Sequence, residues 1–443
     1  MIKYTRIFIT FLLAVIAFGA KAQSTQSIAT SSSPYSRYGL GNIDPSLLPQ
    51  NLAMGGIGTA INKISTYNNI NPFNPASYGA INYTTIDIGI YSNIDELSQT
   101  GQVTASNANF RLSHVAFAIP VTKRSAISFG LLPYSDMGYS YKQTLPRGFG
   151  TGSSVDTNAT NYIYSGQGGL SKAYLGYGVR IGKHLLIGAN ASYIFGNLQQ
   201  FSSTEIPGLY GTLDSRIENS NSVRGLNYDY GLQYSIDFSD AKHLVLGYSA
   251  SASNALNVTN TYIVSQYTYD SSGNENLATD SLVNNQTKGK IKLPQINHFG
   301  ISYQYDLHFL VGADYTMSNW SALTINGVNA GLQNSKTINI GGQFTPNVDA
   351  LRSYWARADY RLGFTYGDTY LNLNNTDIKN KAVTFGIGFP LSPTNNTSFY
   401  KINFSAEIGQ EGTLQNNLIK ENYVNIHLGF TLNDRWFQRF KFQ

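Results

Sequence analysis

Apolar and polar positions alternate with a period of two along many stretches after residue 80. Between 227 and 238, Tyr228, Tyr230, Leu232, Tyr234, Ile236 and Phe238 fall on one face. Asn227, Asp229, Gly231, Gln233, Ser235 and Asp237 fall on the other. The pattern returns with Ile86, Ile88 and Ile90 against Asp87 and Gly89. It returns again with Ile402, Phe404 and Ile408 against Asn403, Ser405 and Glu407, and with Val424, Ile426, Leu428, Phe430 and Leu432 against Asn425, His427 and Thr431. A period of two is the strand signature. It does not say which face meets water, because a sandwich turns its apolar face inward and a membrane barrel turns it outward.

The connections separate these two architectures. Very short turns are expected at 122–124, 182–183, 240–242, 306–307, 347–350 and 392–396. Longer polar loops are expected at 92–106, 142–157, 203–220, 270–287, 321–335, 367–380 and 410–420. Short and long connections alternate along the whole chain, as in a barrel with periplasmic turns at one end and external loops at the other. A Greek-key sandwich has no need of such alternation. Counting strands between the connections predicts an all-β fold, a transmembrane antiparallel β-barrel of about 14 strands.

Composition strengthens the membrane reading. Charged residues make up 12% of the chain and aromatics 13%, with 32 tyrosines. That charge content is about half the usual fraction for a soluble domain. After the first 20 residues no stretch is long and apolar enough for a spanning helix. There is no cysteine, which excludes disulfides and thiolate metal sites. The net charge of +5 includes Lys3, Arg6 and Lys21. Without these three the 30 basic residues fall to 27 against 25 acidic, too even a balance to suggest nucleic acid as a partner.

The start of the chain reads as an export signal. Lys3 and Arg6 precede an apolar core at 7–17, and Ala20-Lys21-Ala22 is a small-x-small cleavage site, so residues 1–22 are expected to be removed. Residues 23–80 are expected to form an N-terminal extension and hatch in the barrel lumen, followed by the barrel at 81–433 and a tail at 434–443. The hatch expectation rests on residues 68–78, Asn-Asn-Ile-Asn-Pro-Phe-Asn-Pro-Ala-Ser-Tyr. Each proline fixes its own φ and holds the preceding asparagine out of the helical region, and asparagine side chains favour turns. The small-residue run at 53–60, with Gly55 and Gly56, lets the backbone pass close to other structure.

One strand departs from the pattern. Ile127, Phe129 and Leu131 alternate well, and then Pro133, Ser135, Asp136 and Gly138 replace the expected apolar positions. A proline removes a ladder donor and belongs at an edge or a bulge. Two readings follow: the strand ends there, or the wall bends and opens, leaving a segment that packs poorly against lipid.

Little in the chain points to catalysis. The six histidines have no metal-ligand spacing, and neither G-x-S-x-G nor a Walker A sequence is present. Two charge pairs are expected to face the lumen, Asp87 with Arg111 and Glu407 with His427, as structural pairs rather than acid–base sites. No catalytic residue, metal site or cofactor is assigned.

Several stretches resemble the FadL-type outer-membrane transporters of long-chain fatty acids and other hydrophobic compounds. The run at 53–60 looks like the small-residue start of that family's hatch, and Asn74-Pro75-Ala76 is similar to its Asn-Pro-Ala motif. Leu293-Pro294 with Asn319-Trp320-Ser321, the glycine-rich stretch at 168–196, and residues 357–365 resemble further family features. Here Asn-Pro-Ala is followed by Ser77-Tyr78 instead of the family's Gly-Leu. The resemblance implies a 14-stranded barrel with Gly55, Gly56, Asn74, Pro75 and Ala76 in a gating hatch. It also implies a kinked third strand, here Pro133, Ser135, Asp136 and Gly138, that opens sideways to the membrane. The expected activity is passive uptake of a hydrophobic small-molecule ligand such as a long-chain fatty acid, in contact with outer-membrane lipid. The alternative is a non-transporting accessory barrel with a protein partner in a type IX secretion or other envelope complex.

Overall fold

The structure is a computed structural model, and it describes residues 33–63, 68–146, 158–207, 212–270, 274–277, 281–391 and 398–436. The expected signal peptide, the turn expected at 392–396 and most of the C-terminal tail lie outside the described residues.

Fourteen antiparallel strands form the wall. They are β1 (Thr84–Ser98), β2 (Ala105–Thr122), β3 (Ser125–Leu145), β4 (Thr160–Ile181), β5 (Leu185–Glu205) and β6 (Asp214–Ser239). Next come β7, interrupted into Lys242–Ser251 and Ala255–Tyr269, and β8, interrupted into Val283–Lys292 and Ile296–Tyr305. The rest are β9 (Phe309–Ser318), β10 (Ser335–Phe344), β11 (Asp359–Leu373), β12 (Thr376–Leu391), β13 (Phe399–Gly412) and β14 (Lys420–Asp434). The ring closes where β1 pairs with β14, from Thr84 opposite Asp434 to Ser98 opposite Lys420. Closure removes the sheet edges that would otherwise be left unpaired in lipid.

Alternation decides which way each side chain points. On β6, Tyr228, Tyr230, Leu232 and Tyr234 are 42–47% exposed on the outer face, while Asn227 and Gln233 are buried on the inner one. Ile88 and Phe430 are likewise exposed, and Asp87 and His427 buried. The apolar residues therefore face outward, as a membrane barrel requires.

The connections differ from expectation in three places. Strands β1 and β2 run on to Ser98 and from Ala105, so much of the loop expected at 92–106 is ladder. The loop expected at 367–380 is also strand, closed by a two-residue turn at Asn374 and Asn375, whose φ values are 50° and 56°. Asparagine tolerates this left-handed region, which suits a tight hairpin turn. Both stretches mix polar residues with scattered apolar ones, and Leu371 and Ile378 pack inward against Tyr35 and Leu418, so they lack the clean alternation of the membrane zone while keeping their ladder bonds. In the other direction, the turn expected at 347–350 extends from 345 to 358 and contains the short helical turn Trp355–Arg357.

Candidate functional site

The pairing of β2 with β3 stops short. It runs from Thr122 opposite Ser125 up to Val115 opposite Leu131 and no further. Beyond that point β2 continues on β1 as far as Ala105, and β3 continues on β4 as far as Leu145. Residues 105–114 and 132–145 thus share no ladder with each other, and the wall has a gap between them. Pro133 sits at its lower corner. The β3–β4 register shifts between Pro133 and Ser135, a bulge that turns β3 away from β2.

The N-terminal segment closes this gap. Asn42–Ile43 forms a two-residue strand against β3, with Asn42 opposite Asp136 and Ile43 opposite Ser135, and Asp44 N donates to Tyr134 O at 3.0 Å. Ser36 bonds both the carbonyl and the amide of Gly138, at 3.1 and 3.0 Å. Ser135 and Asp136 are consequently buried. The expectation that they would pack poorly against lipid is corrected, because the covering chain is this protein's own.

Arg111 bridges the gap. Its guanidinium bonds Asp44 at 3.0 and 3.2 Å, pairs with Asp136 on β3, and lies 4.7 Å from the centre of the Tyr91 ring. The expected Asp87–Arg111 pair does not form. Asp87 instead bonds His114 Nε2 at 2.8 Å and Thr431 Oγ1 at 2.7 Å. A bulge places His114 opposite Gly89, and its ring occupies the space that a Cβ on that glycine would fill. The Glu407–His427 pair does not form either, since the register places Ser405 opposite His427. Glu407 accepts from Tyr423 at 3.0 Å and Asn425 at 3.3 Å, and the His427 ring lies tilted against that of Tyr91, with centroids 4.7 Å apart.

The rest of the N-terminal segment bonds inward-facing groups all round the ring. Gly58 N and Thr59 N donate to Asp314 Oδ2 on β9, at 2.7 and 2.8 Å, and Gly55 N donates to Thr384 Oγ1 on β12 at 2.7 Å. Ser302 on β8, Gln233 on β6 and Asn190 on β5 donate to carbonyls of Ala60, Thr59 and Pro72. Gly55 and Gly56 have φ of 68° and 77°, a region that favours glycine. A Cβ on the facing Gly363 would lie 2.0 Å from Gly55 N, so both glycines are needed for the approach.

Asn74, Pro75 and Ala76 form a second contact. Asn74 Oδ1 accepts from Ala76 N at 3.1 Å, capping the turn Pro75–Ala80, and Asn74 Nδ2 donates to Thr59 O at 2.6 Å. Gly188 on β5 comes so near that a Cβ there would sit 2.3 Å from Pro75 O. The motif is therefore seated against glycines of the wall. Tyr78 is fully buried beside it, and that burial raises its hydroxyl above the ordinary tyrosine range. Burial, then the nearby Glu411 and Glu421, does the same to Tyr35.

A cavity of about 500 Å³ lies between this segment and the wall, and Pro133, Tyr134 and Asp136 at the gap form part of its lining. Beside it an apolar cluster fills the inner face of β3 to β8, with Met137, Leu170, Ile194 and Leu256 packed against Leu40 and Trp320. Sequence reasoning missed this cluster because its residues occupy inward positions, where alternation predicts polar ones. Among the described residues no group of three or more His, Cys, Asp or Glu side chains could hold a metal ion.

Comparison with solved structures shows the fold. The chain superposes on the toluene transporter TodX of P. putida with a TM-score of 0.58 and 15% identity, covering 89% of this chain and 100% of that one. It matches the toluene transporter TbuX of Ralstonia pickettii at 0.56 and 15%, covering 88% and 99%. A FadL homologue of Pseudomonas aeruginosa matches at 0.52 and 12%, covering 90% and 100%. No curated protein matches the sequence. The fold is thus shared with FadL-type barrels, but the family is fixed by the sequence itself: the BamG family model matches residues 1–443, and the chain belongs to the BamG family.

Proposed function

We propose that this protein is an outer-membrane barrel for passive uptake of a hydrophobic small molecule, with the N-terminal extension, residues 23–80, supplying its hatch and the β2–β3 gap as a lateral exit. The observation that carries this reading is the gap. The cavity reaches the inner side of the wall where β2 and β3 share no ladder, and there β3 is paired with the short strand Asn42–Ile43 of the N-terminal segment. A hydrophobic cargo gains about 0.8 kcal/mol per CH₂ on leaving water, so delivery straight into lipid keeps a gain that release into the periplasm would forfeit. The strand at the gap is only two residues long, held by its short ladder to β3 and by Arg111, so a ligand has few contacts to displace.

Locking that segment tests the proposal. Ile43 and Ser135 are direct partners, and the chain has no cysteine of its own. The Ile43→Cys/Ser135→Cys protein should lose uptake of a radiolabelled hydrophobic compound into liposomes when oxidised and regain it when reduced. Uptake unaffected by the lock would exclude this exit.

A second reading, a partner barrel in a secretion or other envelope complex, is favoured by one feature. The turn at 345–358 exposes Leu351 fully and Trp355 at 60%, an apolar tip unusual for a short-turn end. A stoichiometric protein recovered with the barrel from native membranes, and lost on Leu351→Asp, would support that reading.

A further inference from the structure

We infer that the cavity admits hydrophobic compounds without an anionic head and refuses carboxylates such as fatty acid anions; this rests on the uptake reading and narrows its cargo. Nine Asp and Glu residues line the cavity, against two cationic ones, Arg111 and Lys172. Both cations are already matched by carboxylates, although Arg111 Nε has no hydrogen-bond partner. Arg111 is held by Asp44 and Asp136, and Lys172 Nζ lies 2.7 Å from Asp229 Oδ2. Deeper cations on the same inner wall, Arg361 and Lys401, are both bonded to Asp359, at 2.9 and 2.6 Å.

A carboxylate entering such a space loses its hydration and gains no counter-ion, which is the costly case for a buried charge. Apolar surface does not compensate for this, since an uncharged ligand of the same length buries equally well. The cavity volume, about 500 Å³, falls within the range of small-molecule sites. Among the described lining residues, three buried side-chain atoms have no hydrogen-bond partner, Arg111 Nε, Asp368 Oδ1 and His427 Nδ1, and of these only His427 Nδ1 lies on a side chain outside any ion pair. His427 is buried, its ring forms part of the cavity wall, and its Nδ1 has no hydrogen-bond partner among the described residues. An imidazole nitrogen there can bond a hydroxyl or an amine head.

Three ligands of one chain length test the inference: dodecanol, dodecyltrimethylammonium and laurate. The protein holds three tryptophans, of which Trp320 lines the cavity. The Trp355→Phe/Trp436→Phe variant in lipid nanodiscs leaves Trp320 as the reporter, with calorimetry against empty nanodiscs as the second measurement. Dodecanol and dodecyltrimethylammonium should bind, and laurate should bind about tenfold more weakly or less at neutral pH. Glu411→Gln should narrow that difference. Laurate binding as tightly as dodecanol would overturn the inference while leaving the uptake reading intact. If none of the three binds, the uptake reading falls, and the inference falls with it.

Discussion

Arg111 on β2 and Asp136 on β3 form an ion pair across the stretch of wall where their strands share no ladder. Asp44 of the N-terminal segment joins the same guanidinium at 3.0 Å. One side chain thus ties together both edges of the gap and the chain that fills it. Arg suits this task because its planar fork reaches two carboxylates at once.

Arg111→Met should therefore loosen the gap more than Asp44→Asn. It leaves two carboxylates without a counter-charge. Breaking a fully buried pair costs about 3–5 kcal/mol. The cost here should be nearer about 2–3 kcal/mol, because the Asp44 side chain keeps 27% exposure. Maleimide labelling of an added Ile43→Cys should rise in Arg111→Met. Unchanged labelling would mean that backbone pairing alone holds the segment in place.

The outward register gives a second test. Ile340 is 50% exposed on the lipid face of β10, and Thr337 on the same strand lines the cavity. Arginine on the outer face near the midplane costs about 2–4 kcal/mol. Ile340→Arg should reduce the folded fraction, seen as the heat-modifiable band on gels, far more than Thr337→Arg. Similar losses in both would contradict the assigned faces. Asn403, although it points inward, is a poor control, since it already accepts from Arg361 at 2.9 Å.

Much of the wall was legible in the sequence because alternation and ring closure are local or repetitive properties. Tyr228 to Phe238 declare their face from spacing alone, and the short turns at 182–183 and 306–307 fall where the strands end. The stretch 367–380 reads as a loop because its apolar residues are few and interrupted by polar ones, and because Leu371 and Ile378 find their partners in Tyr35 and Leu418, far away in the chain; the paired asparagines at 374 and 375 are the available clue. Pro133 marked a fault in β3, but its consequence depends on Asn42–Ile43, some 90 residues earlier in the chain. The pairing of Arg111 was also beyond reach. Cross-strand spacing suggested Asp87, while the partners actually chosen come from a bulge and from a segment with no period at all.

Seating of the N-terminal segment can be tested without touching it. Gly363 faces inward on β11, and a Cβ there would fall 2.0 Å from Gly55 N and 2.2 Å from Met54 C. Backbone atoms cannot yield as a flexible side chain can, so Gly363→Val should push the segment off the wall at this point. Valine is compatible with a strand, so the barrel should still insert and remain heat-modifiable. Conductance in planar bilayers should rise over that of the unaltered protein. Unaltered conductance in a well-folded variant would show that this contact does not block the pore.

The last prediction concerns the cluster below the cavity. Asp359 bonds Lys401 Nζ at 2.6 Å, Arg361 at 2.9 Å and Thr345 at 2.8 Å, and the three charged side chains are 1–3% exposed. One carboxylate serves two cations, so the members are not equivalent. Lys401→Met removes a charge and leaves Asp359 with Arg361, a complete pair, at a cost of about 1.5–3 kcal/mol for the lost charged hydrogen bond. Asp359→Ala leaves the buried Arg361 and Lys401 without the carboxylate they share, and falls in the class of about 3–5 kcal/mol. The Asp359→Ala/Lys401→Met double variant removes one of those cations and should recover part of the loss, because Arg361 keeps Gln343 at 2.7 Å and Asn403 at 2.9 Å. Urea unfolding in lipid vesicles, followed by tryptophan fluorescence, measures all three. The order expected is Lys401→Met mildest, the double variant intermediate and Asp359→Ala most damaging. Additive losses in the double variant would mean that the two cations do not share this carboxylate, and the cluster would have to be redrawn as separate pairs.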